Sequence, residues 1–144
     1  MEHHFVVKCI PPKSTHQASL RIITPKDGSK AFVGKYDSSK AKQAKNFMVD
    51  LFKDHRPLFP FQTGPVSLTI TWCYPWRKSE PKKNRVNGWK YCDTKPDADN
   101  LSKMAQDVMT SLNFWTDDSQ VAALHFVKIW GDNPRIEIKI KDLK

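Results

Sequence analysis

Two aspartates, Asp97 and Asp99, are separated only by Ala98, with Asn100 next and Lys103 four residues past Asp99. About one helix length later a second acidic pair, Asp117 and Asp118, follows Phe114 and Trp115. Residues two apart in an extended segment point the same way, so the first pair is expected to aim at one point. Held about 5 Å apart at an effective dielectric near 20, two carboxylates repel by roughly 3 kcal/mol. Either one takes up a proton, or they diverge into water, or a cation sits between them. Helix capping is the plainer use of such residues. Asp and Asn are common N-caps worth about 1 kcal/mol, and the helix dipole adds roughly 0.3–1 kcal/mol. Capping accounts for one acid; two that converge, with a third nearby, call for a divalent cation. Hard carboxylate oxygens suit Mg2+ or Mn2+. The spacing is not that of a calcium EF-hand, because the sixth residue from Asp97 is Ser102 rather than Gly and the twelfth is Val108 rather than Glu. Lys103 is the i+4 partner of Asp99, and Asp107 continues the same helix face. Acids and a lysine so arranged suit phosphoryl transfer: a metal polarises a phosphodiester and activates water, and the lysine neutralises charge on the phosphate or orients the nucleophile.

The rest of the chain fits an anionic substrate. Its 144 residues carry 24 Lys and Arg against 15 Asp and Glu, a formal charge of +9. That balance suggests nucleic acid first and an anionic membrane surface second, with a merely solvated basic surface as the plain alternative. Arg77, Lys78, Lys82, Lys83, Arg85, Lys90 and Lys95 crowd the segment before Asp97, with Glu80 as the one acid until Asp93. Trp76, Trp89 and Tyr91 are interleaved with them. Cations bind phosphate and rings stack on exposed bases, so this segment is the candidate DNA-binding surface. The alternative is a solvated loop whose aromatics fold back on the core. Pro81, Asn84, Asn87 and Gly88 are expected to break any regular element in it. Cys9, Cys73 and Cys92 are odd in number and far apart, which argues against a disulfide framework and against zinc. The N-terminus lacks the pattern of a signal peptide, and no stretch approaches the roughly 20 apolar residues of a membrane span. A soluble, cytoplasmic protein with no membrane partner is expected.

The elements that must position these residues are short and alternate in type. "HFVVKCI" reads as a strand ended by Pro11 and Pro12, and "PPKSTHQ" as a loop. "SLRIITP" and "KAFVGKY" form a hairpin around Asp27-Gly28. "SSKAKQAKNFMVDLFKDH" is a helix capped by Ser38 or Ser39, with Ala44, Phe47, Met48, Leu51 and Phe52 as its apolar stripe. "GPVSLTITWCYPW" is a strand with Val66, Leu68, Ile70 and Trp72 on one face. A second helix runs from about Ala98 to Leu112, burying Leu101, Met104, Ala105, Val108 and Leu112. "SQVAALHFVKIW" and "RIEIKIKDL" are expected to close the chain as a hairpin around "GDNP", with Ile136, Ile138 and Ile140 on one side. The expected architecture is α+β, a single domain with a mixed β-sheet and two main helices packed on it.

"KPDADNLSKMAQDVMTSLNFWTDDSQVAALHFVK" closely resembles the signature of the RusA-type Holliday junction resolvases, endodeoxyribonucleases often carried by phages and prophages. The matching pattern is D-x-D-N-L-x-K, a helix, an apolar-aromatic turn, D-D-x-Q-V and a strand. It covers about a quarter of the chain. The resemblance implies a Mg2+-dependent homodimer, with Mn2+ able to substitute, that nicks four-way DNA junctions on opposing strands inside a bacterial or phage-infected cell. It implies that Asp97, Asp99 and Asp118 are metal-binding catalytic carboxylates, Asp117 the lesser member of its pair, and Lys103 an additional catalytic residue. Two equivalent cuts suit a two-fold dimer. The competing reading is a non-catalytic binder of branched or single-stranded DNA; a basic domain acting on a protein partner is a third.

Overall fold

Alternating apolar residues build a five-stranded sheet, and the order of its strands differs from chain order. The computed structural model describes the chain apart from residues 14–17, 24, 38 and 144, and gives backbone alone for 18–23, 32–37 and 39–41. The sheet contains β1 (Glu2–Lys8), β4 (Val66–Pro75), β5 (Trp89–Tyr91), β6 (Val121–Gly131) and β7 (Arg135–Asp142), in the order β1-β7-β4-β6-β5. β4 and β6 run parallel and the other neighbours are antiparallel. β2 (Ala18–Ile23) and β3 (Phe32–Asp37) form the expected hairpin as a separate two-stranded sheet, with Gly28 at φ 84° in the turn.

One expectation about the sheet fails. β6 and β7 are consecutive but not a hairpin, because β4 lies between them. The physical reason lies in β4 itself. Val66, Leu68, Ile70 and Trp72 are fully buried, and Cys73 and Tyr74 extend the burial at its end, so β4 gains most from the centre of the sheet. The "GDNP" turn therefore carries the chain across β4. Register aligns the core side of the sheet: Phe5 opposite Ile138 opposite Ile70, and Val7 opposite Ile136 opposite Trp72. The other side bears Ser67, Thr69, Thr71, Glu137, Lys139 and Lys141.

α1 (Ser39–Phe52) and α2 (Ala98–Ser111) pack on each other and on the core side. Ala44, Met48 and Phe52 of α1 are buried. Leu51 is half-buried, and Phe47 is 43% exposed, outside the stripe assigned to it. The capping choice between Ser38 and Ser39 concerns side chains outside the described residues. In α2, Leu101, Met104, Ala105 and Val108 are buried as expected; Met109 joins them, and Leu112 is only half-buried at the C-cap.

The basic segment is more ordered than its Pro, Asn and Gly content predicts. It holds a 3-10 turn at Lys82–Arg85 and the edge strand β5, paired to the end of β6. Its organiser is Glu80, 6% exposed, which accepts from Lys90 Nζ at 2.8 Å and Arg77 Nη2 at 3.3 Å. A carboxylate taken out of water needs such partners, and two cations of the segment supply them.

Candidate active site

Asp97 occupies the N-cap of α2 with extended backbone (φ −67°, ψ 144°), and its backbone carbonyl accepts from Leu101 N at 3.0 Å. Its side chain makes no capping hydrogen bond. The carboxylate thus stands at the helix mouth without the use that capping would give it. Asp99 is already inside the first helical turn, so the strand-like alternation expected of the pair does not apply. Its carbonyl accepts from Ser102 Oγ at 2.7 Å, and its exposed carboxylate sits where the helix dipole favours negative charge. Lys103 is exposed, and among the described residues it forms no ion pair with Asp99 or Asp107. Its ammonium remains available to a phosphate.

The second acidic pair sits on a short 3-10 turn, Asp118–Gln120, that feeds β6. Asp117 caps it, accepting from Ser119 N at 3.3 Å. Gln120 holds the turn with all four hydrogen bonds of its amide. Oε1 accepts from Thr116 N at 2.9 Å and Asp117 N at 3.1 Å, while Nε2 donates to Phe61 O and Gly64 O at 3.0 Å each. The turn is thereby fastened to the segment entering β4. The two carboxylates titrate in opposite directions. Hydrogen bonds from Ser119 and Asp118 hold Asp117 below the usual aspartate range. A hydrogen bond with Asp117, then burial and the charges of Asp117 and Asp107, push Asp118 above it. α2, which carries Asp99, Lys103 and Asp107, packs against this acidic turn. Asp107 lies eight positions beyond Asp99 along the helix, about 12 Å of rise. Among the described residues no three Asp, Glu, His or Cys side chains converge as a preformed metal cage. The acids form two groups joined along one helix face.

The predicted DNA-binding cations divide by use. Arg77 and Lys90 are tied to Glu80, and Arg77 also lies 4.2 Å from the Trp130 ring centroid. Arg85 donates to Arg77 O and Glu80 O and lies over Trp76. Lys78, Lys82, Lys83 and Lys95 are exposed and form no ion pair among the described residues. Trp76 Nε1 donates to Asp132 at 2.7 Å, so that ring is half-committed to the fold, whereas Trp89 and Tyr91 are exposed on β5, edge to face at 4.9 Å. The roles of Glu80, Gln120 and Lys128 are not visible from motif spacing. Lys128, half-buried on β6, donates to Thr94 O and Pro96 O just ahead of Asp97. Its one sequence signal is that it interrupts the apolar alternation Leu124, Phe126, Trp130.

Comparison with known proteins covers this whole arrangement. The family model described as Endodeoxyribonuclease RusA matches residues 10–141. An uncharacterized protein of Bacillus subtilis (strain 168), YqaN, is 33% identical over 112 residues, covering 74% of this chain and 78% of that protein. The crossover junction endodeoxyribonuclease rusA of Lactococcus phage r1t is 33% identical over 106 residues, 74% of this chain and 70% of the phage protein. The acidic helix mouth, the clamped acidic turn and the helix between them all fall inside the matched span, and the chain belongs to the RusA endodeoxyribonuclease family.

Proposed function

We propose that the protein is a divalent-metal-dependent, structure-selective endodeoxyribonuclease that resolves four-way DNA junctions as a homodimer, by paired nicks. The observation that carries the proposal is the Asp97 carboxylate, presented at a helix mouth with no capping bond of its own. Mg2+ is commonly held by one or two carboxylates, with water and substrate phosphate filling the remaining positions. The exposed oxygens of Asp97 and Asp99 are donors of that kind, so the helix mouth fits the ion, and Asp118 with its neighbour Asp117 forms a second group of the same donor type. When bound, such an ion polarises the scissile phosphodiester and lowers the pKa of a water molecule. Lys103, on the same helix face and without an ion pair among the described residues, neutralises charge that builds on the phosphate. Lys78, Lys82, Lys83 and Lys95 bring the phosphate backbone to the site, and Trp89 and Tyr91 offer faces to bases unstacked at a branch point. A dimer supplies two equivalent sites for two equivalent cuts.

The test uses a synthetic four-way junction, a replication-fork mimic and a linear duplex, each with and without Mg2+. The proposal predicts paired symmetric nicks confined to branched DNA and dependent on the metal. Tight junction binding with no cleavage in Mg2+ or Mn2+ supports the non-catalytic reading instead.

A further inference from the structure

Lys128 occupies a position where the pattern of the sheet calls for an apolar residue. On β6 the register places Leu124, Phe126, Lys128 and Trp130 beside Leu68, Ile70, Trp72 and Tyr74 of β4. Three of these four β6 residues are apolar, and the neighbour of Lys128, Trp72, is fully buried. A lysine set there must satisfy its ammonium. Among the described residues it does so without a carboxylate: Nζ donates to Thr94 O and Pro96 O, both at 2.5 Å. The Pro96 carbonyl belongs to the peptide that joins Pro96 to Asp97. The backbone of Lys128 grips the same segment, its carbonyl accepting from Cys92 N at 2.9 Å. The chain is thus held at residues 92, 94 and 96 by one residue of β6. Beyond Asp97 the helix takes over, through Leu101 N to Asp97 O and Ser102 Oγ to Asp99 O. Pro96 is buried and has no N–H to contribute, so the approach to Asp97 depends on acceptors, and Lys128 supplies their donor.

We propose that Lys128 is a positioning residue for the acidic helix mouth: its ammonium fixes the Thr94–Pro96 peptides so that Asp97 and Asp99 are set for a divalent cation before DNA arrives. Displacing reacting groups by about 1 Å costs on the order of 100-fold in rate, so a clamp one peptide from a metal ligand has leverage on chemistry rather than on DNA affinity. The proposal rests on the nuclease reading above, and the experiment keeps the two apart.

Lys128→Met retains the aliphatic stem and removes the ammonium. Mn2+ is titrated into the DNA-free full-length protein, with free ion read by electron paramagnetic resonance. In parallel, single-turnover cleavage of a four-way junction is followed in Mg2+, and junction binding is measured in Ca2+. The clamp predicts Mn2+ affinity weakened at least fivefold, cleavage slowed at least 20-fold, and junction Kd within twofold of wild type. Unchanged Mn2+ affinity overturns it, and if junction affinity and cleavage then fall together, Lys128 is a phosphate contact. A wild-type protein that binds Mn2+ but cuts no DNA defeats the nuclease reading, while the Mn2+ comparison still decides the role of Lys128. Should Lys128→Met not fold, Lys128→Gln, which is shorter and uncharged, carries the same prediction.

Discussion

An aspartate at a helix N-cap ordinarily spends its carboxylate on the first backbone N–H groups, and Asp97 does not. Asn in its place therefore removes charge without removing a cap, so Asp97→Asn should leave the unfolding midpoint nearly unchanged. Lys103 is predicted to behave in the same way. With no ion pair among the described residues, Lys103→Met should alter stability by less than about 0.5 kcal/mol. Removing a donor aimed at developing charge costs about 100- to 1,000-fold in rate. Single-turnover cleavage set beside thermal unfolding checks both halves, and a large stability loss with little rate loss would contradict the assignment. Residue types and spacing singled out the acids and Lys103 as candidates, and the family resemblance supplied the roles proposed for them. Types and spacing did not disclose that α2 packs against the acidic turn, which is a tertiary contact.

At the scale of elements, Gln120 and Glu80 fasten the segments that carry the candidate residues. Gln120 ties the acidic turn to the entry of β4. Gln120→Leu keeps the volume but leaves Phe61 O, Gly64 O and two N–H groups unpaired, a loss of about 2 kcal/mol or more in stability, measured by denaturant unfolding. Cleavage should fall further than stability explains, because Asp118 is released with the turn. Glu80 organises the basic segment, and its pH dependence gives an independent check. The hydrogen bond from Lys90, with the charges of Lys90 and Arg77, holds Glu80 below the ordinary glutamate range. A carboxylate whose pKa is lower when folded stabilises the protein above its unfolded pKa. That contribution disappears as pH falls through the folded value. Wild type should therefore be more stable than Glu80→Gln at neutral pH, and the difference should close as acid takes pH below the glutamate range. Thermal melts across pH 2–7 measure this. Glu80 also shows why the segment could not be read locally: a lone acid among six cations looks solvated until tertiary structure buries it. The strand periodicities of β4 and β7 were legible because each buries one face. Their pairing was not, since the place of β4 between β6 and β7 depends on comparative burial across the whole sheet.

For the molecule as a whole, the basic charge divides between scaffold and surface. The +9 balance survives folding unevenly, with Arg77, Lys90 and Arg85 drawn into the scaffold while Lys78, Lys82, Lys83 and Lys95 remain exposed. Changing those four lysines to Gln should lower the slope of log Kd for junction DNA against log salt by about three to four units. An unchanged slope would move the DNA path elsewhere on the surface. Mixed-sheet architecture with two helices was legible from apolar spacing, whereas the dimer is implied only by family resemblance and by the symmetry of two cuts. The central claim concerns the acidic helix mouth, and its most direct test is single-turnover cleavage of a four-way junction by Asp97→Asn beside wild type in Mg2+, with binding measured on the same DNA. The account predicts that the variant loses at least 1,000-fold in rate, by order of magnitude for a lost catalytic ligand, while binding the junction as tightly as wild type or more so. Cleavage by Asp97→Asn at the wild-type rate would contradict it.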